Sequence, residues 1–246
     1  MTRYQPGPAW RDALATVLSL ALPLAWDAAG LDLPVARWFG SATGFAGRDT
    51  WWASTLLHDG GRLAAWLLLL GLVVAGCLRP PAGTPSRGQR WRWLGVITLC
   101  VVLVPSIKRF SLTSCPYELA EFGGLAQYVS HWRWGVADGG PGHCFPSGHA
   151  VSAFAFLGLY FLWRHHAPGR ARAWLAAVVL MGLLFGAAQL VRGAHYPSHT
   201  LWTGWLCWAL CAAAAHTLAR PVPKPARPRP LLQPKPKPHP QPSQVL

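Results

Sequence analysis

Three short clusters hold the side chains able to do chemistry. The first is Lys108-Arg109, followed by Cys115-Pro116. The second is Cys144-Phe145-Pro146-Ser147-Gly148-His149. The third runs Arg192-Gly193-Ala194-His195-Tyr196-Pro197-Ser198-His199. Histidine serves as nucleophile or base near neutral pH, and Lys and Arg neutralise anions. Pro146 and Ser147 precede an apolar run and read as a helix start. Free N–H groups and the positive dipole end at such a start bind anions such as phosphate. Gly148 lets a ligand approach the backbone, and His149 points into the same site. An ordinary N-cap followed by an interfacial histidine would read the same way. In the third cluster, Pro197 disfavours helix at Tyr196. One apolar segment therefore ends near Arg192-Gly193, Ser198 caps the next, and His195 sits in the turn between them.

The elements that position these clusters are apolar. Of 246 residues 52% are hydrophobic and only 12% charged, about half the charge of a soluble domain. Apolar segments cover approximately 13–26, 63–78, 93–107, 150–163, 174–191 and 200–219. Some are shorter than the ~20 residues a spanning helix needs, but together they leave too little polar surface for a soluble fold. The net charge of +14 does not imply a nucleic-acid partner, because the basic residues flank apolar runs instead of forming one basic face. With the N-terminus inside, segments 1–12, 79–92, 164–173 and 220–246 hold 15 of the 22 Lys and Arg and one acid, Asp12. That is the positive-inside pattern, and it puts all three clusters on the outer side. Trp10, Trp51, Trp91, Trp93 and Trp163 suit an interfacial belt. The first apolar run reads as a retained signal-anchor rather than a cleaved signal peptide. The Pro- and Lys-rich tail, 220–246, reads as disordered.

The clusters resemble the three motifs of the type 2 phosphatidic acid phosphatase superfamily, K-x6-R-P, P-S-G-H and S-R-x5-H-x3-D. Pro146 to His149 match the second completely. Lys108 and Pro116 match the first in spacing, and His195-Tyr196-Pro197-Ser198 match the core of the third. Cys115 stands where the family has Arg, Ala188-Gln189 where it has Ser-Arg, and His199 where it has Asp. The resemblance implies an all-α bundle of six transmembrane helices, with the active site at their outer, periplasmic ends and both termini cytoplasmic in the inner membrane. Residues 1–219 are then expected to form the membrane-embedded phosphatase domain. It also implies hydrolysis of a lipid phosphomonoester or diphosphate through a phosphohistidine. His195 is then the nucleophile and His149 the acid. Lys108, Arg192 and the backbone near Ser147 and Gly148 hold the phosphate, with no cofactor and no metal.

Compensation for the lost residues is expected nearby. Arg192 lies one helical turn from Gln189, and Arg109 is a second candidate guanidinium. His199 replaces the carboxylate that orients His195, with Glu118 or Glu121 as alternatives. Cys115 and Cys144 share the outer loop, where an oxidising compartment permits a disulfide. Cys77, Cys100, Cys207 and Cys211 lie in spans as small packing residues. Other readings stay open: a lipid-to-lipid phosphotransferase, a non-catalytic binder of lipid phosphate, and a zinc site drawing on His195 and His199, spaced i, i+4, and on His143 and His149. The substrate lipid and the oligomeric state have no signature here.

Overall fold

The computed structural model describes residues 9–217; the expected tail, 220–246, lies outside them. Helix α1 (Ala9–Ala28) is followed by short α2 (Asp32–Ala36) and a two-residue hairpin, β1 (Gly40–Ser41) with β2 (Gly44–Phe45). A nine-residue π-helix, Trp52–Gly60, then runs directly into α3 (Gly61–Cys77). Next come α4 (Arg87–Lys108), a long loop with two 3₁₀ turns, and α5 (Val151–Phe154), which continues through one more 3₁₀ turn into α6 (Gly158–Trp163). Helices α7 (Pro168–Val191) and α8 (Pro197–Thr217) complete the bundle.

Within the described residues the six apolar segments fall on helices: α1, α3, α4, α5–α6, α7 and α8. Among the described residues three helical stretches, Trp52–Cys77, Arg87–Lys108 and Pro168–Val191, are long and apolar enough to cross a membrane. Their outward faces are apolar and bare: Leu67 and Leu180 are each 59% exposed. Such faces are rare on soluble monomers.

Local chemistry sets the helix ends. Ser86 and Gln89 form a reciprocal capping box at the start of α4. Gly193 ends α7 with a left-handed φ of +68°, and a side chain there would overlap the Phe45 ring. The start of α8 differs from expectation. Pro197 is its first residue, so Ser198 lies inside the helix. Asp32 caps it from outside, accepting from Ser198 N at 3.1 Å and from Ser198 Oγ.

The core joins Ile97, Cys100 and Val104 of α4 to Phe154, Leu159 and Phe161, and to Cys207 and Cys211 of α8. Cys77, expected to pack inside, is exposed at the end of α3. Trp93, expected in the interfacial belt, stacks on Phe161 at 5.5 Å. At the bundle end away from the three clusters, Arg164 donates to both oxygens of Asp12 at 2.7 and 2.9 Å, and His216 Nε2 joins at 2.9 Å.

Candidate active site

The three clusters meet because their loops are laced together. His143 N donates to Ser111 O at 2.7 Å and Cys144 N to Thr113 O at 2.9 Å, pairing the first cluster with the second. A Cys115–Cys144 disulfide closes the same junction. Tyr117 N donates to Gly193 O at 2.9 Å, joining the first cluster to the third. Ser147 N donates to His199 O at 3.2 Å, and Thr203 Oγ1 contacts Ser147 O at 3.1 Å and His199 O at 2.8 Å. Each loop thus satisfies its buried backbone groups on another loop.

Between them lies a cavity of about 390 Å³. Lys108, Gly148, His149, Gln189, Arg192 and His195 line it. The Lys108 ammonium lies close to Gly148, where a Cβ would stand 3.8 Å from its Nζ. Arg192 Nε donates to Arg48 O at 3.0 Å, and its Nη1 lies 3.5 Å from Gln189 Oε1. Arg192 and Gln189 therefore share a face, as the helical spacing requires. Gln189 Nε2 is buried without a hydrogen-bond partner among the described residues.

Four further lining residues, Arg48, His58, Arg62 and Tyr117, had no motif to mark them. Arg48 stacks on the Tyr117 ring at 4.2 Å. His58 comes from the π-helix and stacks on His149 at 4.6 Å. The same π-helix presents Leu57 O, which accepts from His149 Nε2 at 3.1 Å. A carbonyl only accepts, so Nε2 carries the proton and Nδ1 is the free nitrogen. Wide helical turns of this kind recur at functional sites.

His195 is buried at the cavity floor. Its Nδ1 lies 3.4 Å from His199 Nδ1 and 3.5 Å from Cys144 Sγ, which leaves Nε2 for the cavity. Burial, then the Lys108 cation, then His199 and His149 hold the His195 imidazole well below its usual pKa. Burial and neighbouring His58 push His149 down to about 4. Both shifts favour the neutral imidazole at pH 7.

Several expected residues sit elsewhere. Arg109 caps the end of α4 and is exposed, away from the cavity lining. It turns outward because it follows Lys108 by one residue, about 100° around the helix. Ser147 is buried and its N–H is used on His199 O, so it does not line the cavity. His199 is fully buried behind His195. Glu118 accepts from Cys115 N at 2.8 Å, and Glu121 pairs with Arg37 at 2.5 Å on an exposed face. Neither glutamate forms a hydrogen bond with His195 or His199 among the described residues.

Residues 90–222 match the family model of the PAP2 superfamily. The chain belongs to the PAP2 superfamily. No curated protein and no solved structure gives a match. PAP2 proteins are phosphatases and phosphotransferases acting on phosphate esters. Two arginines of the PAP2 motifs are replaced here by Cys115 and Gln189, yet the cavity is not poor in cations. Arg48 and Arg62 come from the segment before residue 90, outside the matched region, and Arg192 stands one turn beyond Gln189. Isolated arginines at no fixed spacing, such as Arg48 in a turn and Arg62 in the first turn of α3, carry no sequence signal.

Proposed function

We propose that this protein is a six-span integral membrane phosphatase that hydrolyses a phosphomonoester or diphosphate of a membrane lipid through a phosphohistidine on His195. The supporting observation is convergence. Lys108, Arg48, His149 and the pair Arg192 and His195 come from four separate chain segments and face one cavity.

The phosphoryl group lies among Lys108, Arg48 and Arg192, with the Gly148 backbone and Gln189 Nε2 as neutral donors. Positioning and charge stabilisation are what phosphoryl transfer demands of a protein. His195 keeps its proton on Nδ1, given to His199 Nδ1, and attacks phosphorus through Nε2. As the N–P bond forms, the P–O bond to the lipid breaks. His149, charged once the phosphate dianion is bound, gives a proton to the leaving oxygen. Water then attacks the phosphohistidine and returns a proton to His149, the N–P bond breaks and phosphate departs.

The membrane reading adds α1, α5–α6 and α8 to the three long apolar helices. Basic residues crowd one side, so the cavity faces the outer side and both termini the cytoplasm. The lipid headgroup reaches the cavity from the outer leaflet while its chains stay among the exposed leucines.

The test uses purified full-length protein in mixed micelles with a panel of lipid phosphates. His195→Ala and His149→Ala should each abolish phosphate release, and acid-labile ³²P should be trapped on wild type but not on His195→Ala. Release near the wild-type rate from either variant would refute the assignment. Transfer of label to a second lipid in place of free phosphate would make the enzyme a phosphotransferase.

A further inference from the structure

Behind the cavity floor lies a second cluster of ligand-type side chains. One nitrogen each of His131 and His199 and one carboxylate oxygen of Asp32 all lie within 4.8 Å of one another. Asp32 and His199 are buried, and the His131 side chain is only 6% exposed. The second observation concerns His199. Its Nδ1 is engaged with His195, while its Nε2 is buried with no hydrogen-bond partner among the described residues. A buried imidazole nitrogen left idle is destabilising.

From this arrangement we infer that Asp32, His131 and His199 form a binding site for a divalent transition-metal ion of the zinc type. Two imidazoles and a carboxylate are the donors such ions take, leaving a further position for water. Tetrahedral ligands at zinc distances stand roughly 3.3 Å apart, so the three donors must draw together. His131 can supply that movement, being in an irregular stretch outside any helix.

The surroundings already resemble an outer shell. Asp32 is oriented by Ser198 N, Ser198 Oγ and Trp26 Nε1. His131 lies flat on Phe145 at 4.1 Å, with Asp27 Oδ2 3.3 Å from its Nε2. Hydrogen-bonded carboxylates and held imidazoles are the usual supports of metal ligands. The α8 N-terminus opposes a cation with about half a positive charge. Two nearby buried carboxylates, Asp27 and Asp32, outweigh it.

Occupancy has a consequence for the cavity, and this part rests on the phosphatase reading above. Metal on His199 Nε2 confines the ring proton to Nδ1. His199 Nδ1 must then donate to His195 Nδ1 instead of accepting from it. The His195 proton moves to Nε2, and the nitrogen that attacks phosphorus loses its free lone pair. Metal here switches the nucleophile off.

The experiment titrates zinc chloride into purified full-length protein carrying no histidine tag, followed by calorimetry and by melting temperature. Wild type should bind one equivalent and gain about 2–4 °C or more in melting temperature. Asp32→Asn and His131→Gln should each weaken that binding roughly tenfold or more. His131→Gln, in an irregular stretch, is the safer variant for folding, and its melting temperature without zinc checks that. No binding by wild type, or undiminished binding by both variants, overturns the site. In parallel, zinc should lower wild-type phosphate release and spare His131→Gln. Binding without inhibition overturns only the switch. An enzyme inactive before zinc is added instead marks failure of the phosphatase reading, which the binding data do not need.

Discussion

His195 Nδ1 and His199 Nδ1 stand 3.4 Å apart, fully inside the protein, where PAP2 motifs place a histidine and an aspartate. A neutral imidazole takes over the acceptor role of a carboxylate. In the proposed mechanism it fixes the same tautomer on His195 but gives less charge stabilisation when that ring becomes cationic during phosphoryl transfer.

Replacing His199 should therefore separate the two roles. His199→Phe removes the acceptor and should lower kcat by about 10²-fold or more. His199→Asp restores the family carboxylate and should retain much more activity than His199→Phe. Equal loss in the two variants, measured as phosphate release at saturating substrate, would show that His199 does not orient His195.

The acid limb of the pH profile tests the environment of His195. Its pKa is depressed, so the neutral nucleophile persists as pH falls through 6.5 and is lost only below that value. The limb of kcat/KM should thus lie on the acid side of pH 6.5. Lys108→Met removes the second-largest cause of the depression, and residual activity should show the limb moved upward. A limb at or above 6.5 in wild type contradicts the burial of the nucleophile.

Cations from outside the motif region should matter as much as those within it. Arg48→Ala is expected to lower kcat/KM by roughly 10²–10³-fold, the usual loss for one charge-stabilising donor. Gln189→Arg puts a guanidinium where PAP2 motifs have one and should partly rescue Arg48→Ala. A rate unchanged by Arg48→Ala would remove that residue from the phosphate site.

The Cys115–Cys144 disulfide, closing a sequence separation of 29 residues, should stabilise by about 3–4 kcal/mol if its effect is chain entropy alone. Cys144→Ser, or reduction of wild type, should lower the melting temperature and phosphate release together, since the bond pins Lys108's loop to His149's. Loss of stability with full activity would show that the backbone bonds suffice to hold the cavity.

How much of this was legible depended on the kind of residue. Lys108, Gly148, His149, Arg192 and His195 each sit in a motif at the end of an apolar run, where helix periodicity and capping chemistry fix position. The pairing of Cys115 with Cys144 was permitted by the sequence and decided by the meeting of two loops. Arg48, His58 and Arg62 escaped notice because a loop, a π-helix and the first turn of α3 bring them in. A π-helix has no composition of its own. Arg109 and Ser147 were misplaced for the opposite reason: motif proximity says nothing about which way a side chain turns or whose carbonyl a backbone N–H finds.

The sequence by itself determined the helical, apolar character of the chain, the order of the three motifs and the residue types at each. These are local properties, written in hydropathy, spacing and turn chemistry. Only the tertiary structure decided that His199 lies behind His195, that Asp32 caps α8 from more than 160 residues away, and that arginines before the family region complete the cavity. Those relations arise from packing between distant segments, where the energy of a contact depends on geometry that no single stretch of chain contains.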